Sequence, residues 1–207
     1  MLKIYAEIIA DFSNIILGLN IIIYSIRCRS KTLAYKIFIF YLIFSLIIQL
    51  WSSYLASRYE DNLYLSHYYF TGQLAILSLF YYKLLKSNLK KIIPFLGTFV
   101  FVILGFSFFF KPELYNQFFL FEVVLSSLPV VLYSLFYFFE SFGDENKKFL
   151  IINSGVFIYL LCSTIIFSSG NLINGLISDS TSIMLWFINI IYQILIFIEW
   201  YKNFRIK

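Results

Sequence analysis

Seven stretches of about twenty residues, each nearly free of charge, fill the chain at 4–26, 34–54, 62–85, 92–110, 114–138, 148–169 and 181–201. That is the length at which an α-helix crosses the hydrocarbon core of a bilayer. In hydrocarbon every backbone amide must be bonded within its own segment or a closed barrel, so runs of this length predict helices. The links between them are short, which predicts one all-α bundle of seven transmembrane helices forming a single domain over residues 1–207. Charged residues make up 13% of the chain, against about 25% in soluble domains. The difference excludes an ordinary soluble domain and leaves no room for a kinase, nucleotide-binding or DNA-binding module. The positive charges flank the apolar runs instead of forming a patch, which argues against a nucleic-acid partner.

Lysine and arginine set the expected orientation. Arg27, Arg29, Lys31 and Lys36 follow the first run, and Lys83, Lys86, Lys90 and Lys91 follow the third. Lys147 and Lys148 follow the fifth, and Lys202, Arg205 and Lys207 follow the seventh. Only Lys3, Arg58 and Lys111 fall on the other side. The rule that basic loops stay in the cytoplasm predicts an outside N-terminus and a cytoplasmic C-terminus, which an odd number of spans satisfies. The first run carries Asp11 and lacks a small-residue cleavage site, so it reads as a retained span.

Polar residues inside the runs recur at helical spacing. Glu7, Asp11, Asn14 and Gly18 share one face of the first run. Ser45, Gln49 and Ser52 mark the second, Glu122, Ser126 and Pro129 the fifth, and Asn189 and Gln193 the seventh. The third run, 62–85, holds the only histidine, His67, and Gln73. The fourth has almost no polar stripe, so it is expected to be the most lipid-exposed helix or a linker. Asp11, Glu122 and Asn189 each lie about 12 Å inside the outer end of their runs at helical rise. An intramembrane carboxylate is a functional candidate because its desolvation must be offset. The expected site is thus an outward-opening pocket for a ligand or ion, lined by Asp11, Asn14, His67, Gln73, Glu122, Asn189 and Gln193, with Asp11 and Glu122 in one cavity.

Several chemistries are excluded by residue type. A lone histidine without HExxH or CxxC lacks the three or four ligands of a zinc site, so no metal or cofactor is expected. Ser168 and Ser169 have no second histidine to form a nucleophilic dyad, and no lysine is mid-span for a Schiff base. Cys28 in a basic loop and Cys162 within a run are expected at different depths and unpaired. The expectation is a non-enzymatic protein.

Runs one to three parallel runs five to seven in outline. Trp51-Ser52-Ser53 matches Phe167-Ser168-Ser169, and Tyr81-Tyr82-Lys83 matches Trp200-Tyr201-Lys202. This 3+1+3 plan of parallel repeats, with run four as linker, resembles the sugar-exporting SWEET transporters. The stretch His67-Tyr68-Tyr69-Phe70-Thr71-Gly72-Gln73 also resembles an H-x-Y-x(3)-E pattern in small seven-span proteins of Bacteroidota, with Gln73 in place of the acid. Ile152-Asn153-Ser154-Gly155, followed by Tyr159, resembles their sixth helix. That resemblance implies a bacterial inner-membrane protein encoded beside sensor histidine kinases. The expected role is a sensing or signalling partner of a histidine kinase or another membrane protein. A small-solute or ion transporter is the alternative, and a homo-oligomeric effector that perturbs the bilayer is a third reading.

Overall fold

A computed structural model describes residues 2–26, 28–143, 147–174 and 179–205. Among these every regular element is helical: α1 (Leu2–Ser25), α2 (Leu33–Ser57), α3 (Tyr64–Leu84), α4 (Ile92–Phe110), α5 (Leu120–Ser141), α6 (Leu150–Asn174) and α7 (Asp179–Glu199). Short 3-10 turns at Cys28–Ser30, Asn88–Lys91 and Pro112–Asn116 link them, and a π turn, Trp200–Phe204, prolongs α7. Arg27 and Lys207, counted above for orientation, lie outside the described residues.

Six of the helices, all but α3, are long and apolar enough to cross a membrane, which marks a multi-pass membrane protein. The expectation of seven comparably apolar runs is corrected at α3. Its 21 residues include His67, Gln73, Thr71 and Lys83, which lower its hydropathy. It tolerates them because α2, α4 and α5 pack around it and bury most of its length.

The packing order forms a ring. α1 packs on α2, α2 on α3, α3 on α5, α5 on α6, α6 on α7, and α7 returns to α1. α4 lies outside this ring and packs chiefly on α3 and α5, burying only Ile93, Gly97, Val100 and Leu104. Two contacts in the ring join parallel helices. His67 meets Glu122 and Ser87 meets Glu140 along α3 and α5, while Asn20 meets Gln193 and Tyr24 meets Ile196 along α1 and α7.

One boundary shift matters for the site. The fifth run was expected to be helical from 114, but Pro112–Asn116 closes a separate 3-10 turn and Gln117 is extended. The helix therefore begins at Leu120, and Glu122 lies in its first turn instead of a third of the way along.

At the lysine-rich end, tyrosines and carboxylates tie helix to helix. Tyr24 Oη donates to the Ile196 carbonyl at 2.9 Å, and Tyr35 Oη to the Tyr24 carbonyl at 2.9 Å. Tyr81 Oη donates to Asn153 Oδ1 at 2.7 Å, and Asn153 Nδ2 to the Ser134 carbonyl at 3.1 Å. Glu199, fully buried, accepts from the backbone amides of Phe149 at 2.7 Å and Ile151 at 2.9 Å. A helix start leaves its first amides without intrahelical partners, so α7 caps α6. The cap also holds Phe149 in the left-handed region, at φ 70°, which a phenylalanine adopts only when its surroundings fix it. Glu140 does the same for the amides of Lys86 and Ser87, but half-exposed. We expect Glu199→Ala to cost about 3 kcal/mol and Glu140→Ala about 1 kcal/mol. Thermal unfolding in detergent would check this, and equal losses would contradict the difference in burial.

Candidate functional site

The first turns of α3 and α5 lie side by side because the two helices run parallel. His67 and Glu122 meet there, 5% and 1% exposed. His67 Nδ1 and Glu122 Oε2 form a close ion-pair contact. His67 Nε2 faces the carbonyl oxygen of Tyr115 at 3.2 Å. A carbonyl only accepts, so Nε2 must carry the proton of that hydrogen bond. Imidazole and carboxyl then share one further proton along the Nδ1–Oε2 line.

Aromatic rings enclose the pair. The His67 ring lies 5.7 Å from Tyr115, stacked, and 5.1 Å from Phe108, edge-on. Tyr115 Oη is 3.0 Å from Tyr68 Oη, and Tyr64 stacks on the same ring at 6.3 Å. The 3-10 turn Pro112–Asn116 thus covers the pair and is bonded to it through a single carbonyl. Glu122 Oε1 is buried and has no partner among the described residues. The nearest hydroxyls are turned to backbone: Thr71 Oγ1 donates to the His67 carbonyl at 2.5 Å and Ser126 Oγ to the Glu122 carbonyl at 2.6 Å. Neither is aimed as a nucleophile at a substrate position. No group of three His, Cys, Asp or Glu side chains stands together among the described residues.

A second polar cluster occupies the middle of the ring. Gln73 Nε2 donates to Tyr41 Oη at 3.0 Å, and Tyr69 Oη lies 3.2 Å from Tyr159 Oη. Tyr159 stacks on Tyr192 at 5.3 Å. Gly155 permits this, because a Cβ there would sit 2.7 Å from the Tyr192 ring. Gln193 Nε2 donates to Asn189 Oδ1 at 3.3 Å, and Asn20 Nδ2 donates to Gln193 Oε1 at 3.0 Å. Ser45, Gln49, Asn189 and Tyr192 help to line a cavity of about 10 Å³ here, enough for one water molecule.

The single pocket expected from the sequence is corrected to two sites. His67 and Glu122 belong to one, and Gln73, Asn189 and Gln193 to the other. Asn14 is buried on α1, with Oδ1 unpartnered among the described residues. Asp11 joins neither: it is exposed and shares no cavity with Glu122. The buried face of α1 runs through Ser13, Leu17, Asn20 and Tyr24, and Asp11 lies roughly 150° round the helix from it at 3.6 residues per turn. Asn20 was missed on the sequence, although its spacing of three from Leu17 and four from Tyr24 places it on that face. Tyr115 and Phe108 were missed as site residues, since both lie on segments that read as border and lipid surface. Cys28 and Cys162 are both free.

No protein-family model matches the chain, and neither a curated protein nor a solved structure is significantly similar to it.

Removing either half of the His67–Glu122 pair leaves the other buried without its counterpart. His67→Phe and Glu122→Leu should each destabilise the protein by about 3 kcal/mol. The double variant should lose distinctly less than the sum of the two. Thermal or denaturant unfolding of the four proteins gives the cycle, and an additive double variant would mean that the side chains do not interact.

Proposed function

We propose that the chain is a seven-span inner-membrane protein, with its N-terminus outside and its C-terminus in the cytoplasm, that acts as a non-enzymatic signalling partner of another membrane protein. In this reading α3 crosses the bilayer with the other six, sheltered by its neighbours. The stimulus acts at the outer end, where α3, α5 and the turn Pro112–Asn116 meet. The observation that carries the reading is the buried His67–Glu122 pair, tied to that turn through the Tyr115 carbonyl. The pair is the polar tie between two helix starts, so a stimulus that displaces the turn would break it and loosen α3 from α5 at that end. Tyr115 stacks on His67, and Tyr68 and Tyr64 pack on Tyr115 in turn.

A second reading, a small-solute or ion transporter with 3+1+3 parallel repeats, is favoured by the helix ring. In it α1–α2–α3 and α5–α6–α7 pack in the same order, and the halves join through two parallel contacts, α3 on α5 and α7 on α1. Two like halves round a polar centre suit rocking transport. The central cavity holds no more than one water, which supports the signalling reading over permeation.

Hydrogen exchange in nanodiscs tests the choice. Amides of the turn 112–116 and the first turn of α5 should exchange faster in His67→Phe and in Glu122→Leu than in the wild-type chain, while the lysine-rich end stays protected. Exchange at that turn that is the same in the variants and the wild-type chain would overturn the signalling reading, and solute flux in proteoliposomes would favour transport.

A further inference from the structure

Asp11 lies on the outward face of α1, among Ile4, Ile8, Ile15 and Ile22, each more than half exposed. Its carboxyl engages no side chain among the described residues. The apolar stretch of α1 runs from Ile4 to Ser25, 22 residues, or about 33 Å at helical rise, which matches a hydrocarbon core of about 30 Å. Sliding the helix until Asp11 reached water would leave residues 12–25 to cross, about 21 Å, too short for that core. The far end of α1 cannot follow, because Tyr24 is bonded to Ile196 and Asn20 to Gln193 on α7. Asp11 is therefore held roughly a third of the way across the membrane, facing lipid. Glu7, one turn nearer the end, is also exposed.

A carboxyl at that depth almost always faces protein and pairs with an opposite charge. We infer that the outward face of α1 is a docking surface for a transmembrane helix of a different protein that presents a lysine or arginine at the depth of Asp11. A second copy of this chain does not meet the requirement. Its 16 basic residues all flank or border the apolar runs in the sequence, and none falls mid-run. A symmetric α1–α1 contact would set Asp11 against Asp11. The apolar residues around Asp11 supply the packing surface, and the single acid supplies register and selectivity. The inference builds on the proposal that the chain signals through a membrane partner, but it concerns α1 and not the His67–Glu122 pair, so the two can fail separately.

The test uses the full chain in lipid vesicles with two synthetic transmembrane peptides. One is an all-leucine span and the other carries one lysine a third of the way in. Association is read by energy transfer from a dye on the peptide to one on the chain. The lysine peptide should bind about tenfold more tightly than the leucine peptide. That preference should vanish in Asp11→Leu and Asp11→Asn, both of which should keep the wild-type melting behaviour because the position is exposed. Equal binding of the two peptides, binding of neither, or a preference that survives in both variants would overturn the inference. So would Asp11-dependent self-association of the chain without peptide, which would assign the face to a second copy. Each of these outcomes leaves the exchange at 112–116 in the His67 and Glu122 variants unaffected.

Discussion

Hydrocarbon offers no water to a polar group, and most of the described buried polar side chains reach a partner within the bundle. Tyrosine is its main answer. A phenol is amphipathic, with an apolar body that packs and a hydroxyl that reaches a partner. Tyr24, Tyr35, Tyr133 and Tyr137 each spend that hydroxyl on a backbone carbonyl of another helix or turn. A phenol bound to a backbone oxygen fixes where its helix sits without placing a charge in the core. The two carboxylates at the lysine-rich end do the complementary job. Glu140 and Glu199 each take two backbone amides, and so satisfy donors that a helix or turn start leaves open.

The same constraint explains why His67 and Glu122 are together. A lone carboxyl in the first turn of α5 would be favoured by the helix dipole, but burial to 1% exposure would still penalise its charge. Parallel packing of α3 and α5 brings a second helix start alongside, and with it an imidazole. The pair is neutral as a whole whichever atom holds the shared proton, which is the cheapest way to bury two titratable groups at one point. The turn Pro112–Asn116 closes over it because Pro112 ends the α4 direction and lets Tyr115 fold back as a lid.

Much of this was legible in the residues. Both borders of α4 and the starts of α2 and α6 follow from apolar length and basic flanks, while α2 runs to Ser57 and α6 to Asn174, past the expected 54 and 169. His67 and Glu122 stood out because each is a costly residue inside an apolar run, and Asn189 and Gln193 because their spacing sets them on one face. What failed was the choice of face on α1. Polar residues there fall on two sides, Ser13 and Asn20 on one, Glu7 and Asp11 on the other, so periodicity alone had no single answer. The assumption that acids turn inward picked the wrong side. The start of α5 failed for a different reason. Residues 114–119 were read as part of a span because Leu114, Tyr115, Phe118 and Phe119 flank the polar pair Asn116-Gln117, where the backbone in fact breaks. Glu199 lies within the seventh run, where nothing local says that it caps a helix fifty residues earlier in the chain.

The two ends of the bundle are tied differently. At the lysine-rich end many ties set a side chain against backbone, phenols on carbonyls and carboxylates on amides. At the other end the polar tie between α3 and α5 joins two side chains, His67 and Glu122, and a single carbonyl binds the covering turn to them. Around that tie, among the described residues, stand Tyr68 on Tyr115, Asn62 on Ser52 and aromatic contacts. In the proposed reading a stimulus at that turn would open one end of the ring against an opposite end that is held. The change would reach α1 through α2, and α1 is the helix whose outward face carries Asp11 and Glu7.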